Sequence, residues 1–100
     1  MGRDVVERID ADLAELVDRF LECSRRDQEA LERALDADDL DTARRIGHSA
    51  KGAGAAYGFL GLRDLGGELE TAAGRGEASA ARELARRLRE YLDAVRVEYT

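Results

Sequence analysis

His48 is the only histidine in this chain and Lys51 the only lysine, while the other fifteen basic residues are all arginine. A neutral imidazole nitrogen is a competent nucleophile near physiological pH, and an ammonium group beside it suits an adduct that carries negative charge. Three residues apart on a helix, the two side chains are neighbours, and because side chains lean towards the helix N-terminus, Lys51 can reach back over the ring. At about 100° per residue, Arg44, Arg45, Gly52 and Ala55 fall on the same surface, which makes a small basic patch on a chain of net charge −6.

The element that presents this patch is a helix with its own buried side. Leu40, Ala43, Gly47, Ala50 and Gly54 form one stripe, so His48 points away from the core. Glycine inside a helix costs about 1 kcal/mol relative to alanine, so three of them in one helix need a reason. Gly47 and Gly54 lie on the buried stripe, where missing side chains let another helix come close. Gly52 lies on the exposed side, one turn after His48, where it leaves clearance for the surface of another protein. The bland alternative makes His48 one more solvated residue in an Ala-, Gly- and Arg-rich chain. Against it, the sole lysine, an unburied glycine and two arginines converge on one ring.

Other constellations fail on geometry. Ser49 and His48 are adjacent on a helix and point about 100° apart, so they cannot bond as nucleophile and base. The acids from Asp36 resemble the start of a calcium loop, but Leu40 takes a ligand position and Asp41 stands where the sharp turn needs glycine. The glycines from Gly52 to Gly58 follow no strand and miss the phosphate-cradle spacings. Cys23 is the single cysteine, so there is neither an internal disulfide nor, with one histidine, a four-ligand metal site, and a reducing, cytoplasmic compartment fits best.

One hundred residues with 44% hydrophobic and 38% charged side chains and no proline provide for a single domain over 1–100, rich in helix formers. Leu13, Leu16, Val17, Phe20, Ser24, Leu31 and Leu35 space out a first long helix over roughly 11–36, with Cys23 read as a small packed residue. Asp39 is the expected N-cap of the second helix, which runs to about Tyr57 and stops at Gly58. Leu62, Leu65 and Leu69 mark a third helix ending at Gly74-Arg75-Gly76, and Ala81, Leu84, Leu88, Leu92 and Val95 a fourth. The predicted fold is therefore all-α, an antiparallel up-and-down four-helix bundle, with a short extra N-terminal helical segment around Val5, Val6 and Ile9 and no strands. Phe59, Leu60 and Leu62 are candidates either for the apolar part of a docking surface or for the core-facing start of the third helix. Tyr57 reads as core. The acidic balance argues against nucleic acid or an anionic membrane as the main partner, leaving another protein. No apolar run approaches spanning length, and Asp4 and Glu7 stand where a secretory signal has its apolar core.

The run Ala43-Arg44-Arg45-Ile46-Gly47-His48-Ser49-Ala50-Lys51-Gly52-Ala53-Gly54-Ala55-Ala56-Tyr57-Gly58 resembles the core motif of histidine-containing phosphotransfer domains: His, two residues, Lys, Gly and small residues up to a second Gly. The resemblance extends from about residue 10 to 96 and takes in Leu16 to Phe20, Asp39, Leu62, Leu65, Leu69 and Glu70. It implies a monomeric bundle, a phosphoryl carrier rather than an enzyme, whose His48 accepts phosphate from an aspartyl-phosphate and passes it on, or drains it from a regulator. Lys51 would be the charge partner and Gly52 the clearance, while Arg44, Arg45, Ala55 and Phe59 would meet the partner. That partner would be the receiver domain of a response regulator or hybrid histidine kinase, and the receiver would bring the magnesium ion, leaving this chain without a cofactor. An adaptor that binds a receiver without carrying phosphate, or the phosphoacceptor domain of a larger chemotaxis-type kinase, is the alternative. Two departures from the family pattern stand out: Ala50, where a larger apolar residue is usual, and Gly66-Gly67, two helix-weakening residues in the third helix.

Overall fold

Capping chemistry and glycine set the helix boundaries. In the computed structural model, which describes residues 5–100, α1 spans Ala14–Asp36, α2 Leu40–Tyr57, α3 Leu60–Gly74 and α4 Ala78–Ala94. The Asp39 carboxylate accepts from the Thr42 amide at 3.1 Å and from the Thr42 hydroxyl at 2.6 Å, which satisfies an orphan donor at the start of α2. Those hydrogen bonds hold the Asp39 carboxyl below the usual carboxylate range. Gly58 closes α2 at φ 89°, a left-handed conformation that favours glycine, and its amide donates to the Gly54 carbonyl. The connections are short, and the four helices pack as a bundle around Leu31, Leu35, Ala43, Leu69, Ala81 and Leu88.

The tightest seam lies between α2 and α3, and small residues make it. A Cβ on Gly47 would stand 2.7 Å from the Glu70 amide nitrogen, one on Gly54 2.5 Å from that of Arg63, and one on Gly66 2.6 Å from that of Lys51. Two backbones approach this closely only where side chains are missing from both helices. Gly66, expected from sequence to weaken α3, is thus the counterpart of Gly47 and Gly54 across the seam.

The N-terminal expectation is corrected. Val5–Ile9 is a strand, β1, and a single 3₁₀ turn at Ala11–Leu13 is the only helical piece before α1 among the described residues. The fourth helix stops at Ala94, and Val95–Tyr99 forms β2, parallel to β1 in the register Val5 with Val95 through Ile9 with Tyr99. An even number of helices returns the chain to the end where α1 began, so its two extended segments meet there. Val5, Glu7 and Ile9 turn towards the bundle, and Val6 and Arg8 turn away, the period of two that distinguishes a strand from a helix. Asp4, part of the sequence reading of the N-terminus, lies outside the described residues. Two further expectations also change: Cys23 is exposed rather than packed, and Leu16 is about half exposed.

A buried carboxylate ties β1 to the helices. Glu7 is only 7% exposed, and its Oε2 accepts from the Tyr91 hydroxyl and from the Gly61 amide, each at 2.7 Å. The Gly61 contact serves the first turn of α3, whose N-cap residue, Phe59, offers no side-chain cap. Burial, reinforced by Glu7, pushes the Tyr91 phenol far above its ordinary pKa, so it stays a donor. Glu7→Ala leaves both donors without a partner and is expected to lower stability by about 2–4 kcal/mol in urea unfolding. A change within about 0.5 kcal/mol, typical of an ordinary surface site, would contradict this role.

Candidate functional site

His48 stands midway along α2 with its side chain 72% exposed. Its Nδ1 lies 2.8 Å from Oε2 of Glu70, which α3 presents across the glycine seam. The two features are linked, because a Cβ on Gly47 would meet the Glu70 backbone at 2.7 Å to N and 3.1 Å to Cα. The missing side chain one residue before His48 therefore lets the carboxylate reach the ring. Glu70 is three-quarters covered, and its second oxygen lies 3.8 Å from the Lys51 ammonium. The Lys51 stem passes beside Gly67, whose Cβ position is 3.5 Å from Lys51 Cδ, an ordinary contact.

The arrangement sets the chemistry of the ring. A carboxylate only accepts, so Nδ1 carries the proton, and the lone pair of the neutral imidazole resides on Nε2. Nε2 is the nitrogen away from the anchored edge. Lys51, expected to lean over the imidazole, instead meets the same carboxylate and balances its charge. The geometry is that of an anchored nucleophile with a cation nearby.

Of the other candidates, Gly52 is exposed, and a Cβ built there meets nothing within 4 Å. Arg44, Arg45 and Ala55 are exposed on the same helix. Arg44 pairs with Asp41 at 3.9 Å, and Arg45 donates to the Thr42 hydroxyl at 3.2 Å. The patch is consequently less purely basic than the spacing implied, with Glu70 set between its two central members. Phe59 does not belong to it. This residue is wholly buried, with ring centroids 5.0 Å from Phe20, which also stacks on half-buried Tyr57 at 4.4 Å. Leu62 is core as well, and of the three apolar docking candidates only Leu60 is exposed.

Glu70 is the functional candidate that sequence reasoning missed as a site residue. It is 22 residues from His48, and its place depends on how α2 and α3 are aligned. Gly66, one turn before it, was the available signal: glycines facing each other across two helices imply close backbones and hence contact between flanking side chains. Glu70→Gln removes a charge-assisted hydrogen bond and allows the amide to present either donor or acceptor to Nδ1. Reaction at Nε2 is expected to slow about tenfold, measured as an initial rate of group transfer to the ring. An unchanged rate would remove Glu70 from the site.

The family model for the Hpt domain matches residues 15–98, nearly the whole chain and all four helices. Comparison with curated proteins and with solved structures returned no match.

Proposed function

The chain belongs to the Hpt domain family, whose members are phosphocarrier modules of histidine phosphotransfer in two-component phosphorelays, and we propose that His48 is its phosphoacceptor. Hpt domains interact with the receiver domains of response regulators. Here the proposed donor and acceptor are aspartyl-phosphates on such domains, in a response regulator or hybrid histidine kinase, with phosphate passed forward or drained from a regulator. The observation that carries this reading is an exposed imidazole held at Nδ1 by Glu70.

In the proposed step, the Nε2 lone pair attacks the phosphorus of the aspartyl-phosphate in line with the bond that breaks. An N–P bond forms, the P–O bond to the aspartyl oxygen is cleaved, and the receiver's carboxylate leaves with the bonding pair. No proton has to move, because Nδ1–H stays hydrogen-bonded to Glu70, which offsets the positive charge gained by the ring. Lys51 faces the incoming phosphoryl oxygens, and Gly52 gives the receiver surface room to approach. Transfer of this kind depends chiefly on positioning and charge stabilisation. The magnesium ion and its acidic pocket are proposed to come with the receiver domain, which would do the catalysis.

The carrier reading goes with a monomeric, cytoplasmic protein, and among the described residues no helix is long and apolar enough to cross a membrane. The test is incubation with a panel of phosphorylated receiver domains. Acid-labile, base-stable label on the protein is expected from at least one. If no receiver labels it while one binds it, the carrier reading is wrong and a phosphate-independent adaptor replaces it.

A further inference from the structure

The glycine seam that draws α2 onto α3 has a counterpart on the other side of α2. There the helix presents Ser49, Ala50 and Ala53 to α1, which answers with Cys23 and Ser24, and these short side chains do not close the gap. A cavity of about 140 Å³ remains, reaching inward from the α1–α2 seam to α3 and α4. Phe20, Leu31, Ile46, Leu62, Leu88 and Leu92 make its apolar walls. An apolar cavity of about 150 Å³ takes up a single benzene ring, so the scale is that of a compact ring or a short branched chain.

Asp27 is the one charged side chain lining the cavity. Its carboxylate has no hydrogen bond or ion pair among the described residues, and the nearby Arg25 is taken up by Asp93. The residue is exposed, so its carboxylate stands at the mouth of the cavity, where partial burial raises its pKa. The nearby Gln28 amide is committed elsewhere, donating to the Ala85 carbonyl at 2.8 Å and to Glu32 at 3.0 Å. The site therefore combines an apolar interior with a single unpartnered anionic group, the usual make-up of a small-molecule pocket with one orienting contact.

We propose that this cavity binds a compact apolar molecule bearing one ammonium group, with its apolar part seated between Phe20, Ile46 and Leu88 and its ammonium on Asp27. The site is separate from the His48 and Glu70 pair and does not depend on the carrier reading.

Benzylamine, with benzyl alcohol as its neutral isostere, probes the site in NMR titrations of the ¹⁵N-labelled full chain. Benzylamine is expected to saturate at one site, with the largest shifts at cavity-lining residues, and to bind at least threefold more tightly than benzyl alcohol. Asp27→Asn should remove that preference, whereas Glu29→Gln, at an exposed acid on the same helix, should keep it. Ala53→Leu, which projects into the cavity, should weaken benzylamine at least tenfold, and Ser24→Leu fills it from α1 should the first variant lose helical content. Shifts that never saturate, equal affinity for the two probes, or undiminished binding in a folded cavity-filled variant would overturn the proposal.

Discussion

His48→Gln is expected to abolish acceptance of phosphate from a receiver domain, a loss of at least about a thousandfold, because glutamine offers no nucleophilic nitrogen. The fold should be untouched. The His48 side chain is 72% exposed, and its hydrogen bond to Glu70 is its one polar contact among the described residues, so the substitution has the profile of a surface change within about 0.5 kcal/mol. Matched thermal melts and transfer assays separate the two effects. Equal melting with lost transfer assigns the chemistry to the ring. Transfer that persists in the variant would place the phosphoryl group on another residue and remove His48 from the mechanism.

Gly47→Ala and Gly52→Ala are expected to change stability in opposite directions, although they lie five residues apart on one helix. Alanine is favoured over glycine in a helix by about 1 kcal/mol. At Gly52 an added Cβ meets nothing within 4 Å, so that gain should appear nearly whole. At Gly47 the same Cβ would stand 2.7 Å from the Glu70 nitrogen and 2.9 Å from the Gly66 carbonyl oxygen. Both are backbone atoms that cannot swing aside, so α2 and α3 must separate. Overpacking of this kind costs about 1–3 kcal/mol or more, leaving Gly47→Ala a net loss in urea unfolding. It should also slow transfer, since the displaced backbone carries Glu70. Stabilisation by both substitutions would show that the seam is looser than described.

The difference between these two glycines was legible in the sequence, because position on the helical stripe separates a buried glycine from an exposed one. The boundaries of α2 were legible for a related reason: Asp39 and Gly58 act within one turn, through bonds the local chain makes by itself. What could not be read depended on distant partners. β1 and β2 are 5-residue segments from opposite ends of the chain that become strands by pairing with each other, and alternation at Val5, Glu7 and Ile9 was too short to outweigh the helical bias around it. The role of Glu7 depends on Tyr91 and Gly61, 84 and 54 residues away in the sequence. Phe59 had two readings, as core or as docking surface, that only its stacking on Phe20 could separate. Glu70 was invisible as a site residue for the same reason, since its function follows from the alignment of two helices. The nucleophile was legible because its evidence, a lone histidine, a lone lysine and an exposed glycine, is contained in a single helix.

The central claim is that His48 reacts through Nε2 because Glu70 holds Nδ1–H. The most direct test is to phosphorylate ¹⁵N-labelled protein with a receiver domain and to locate the phosphoryl group on the ring by ¹⁵N and ³¹P NMR. Phosphorus coupled to Nε2, with a proton retained on Nδ1, is the predicted result. Phosphorus on Nδ1, or on any residue other than His48, would contradict the account.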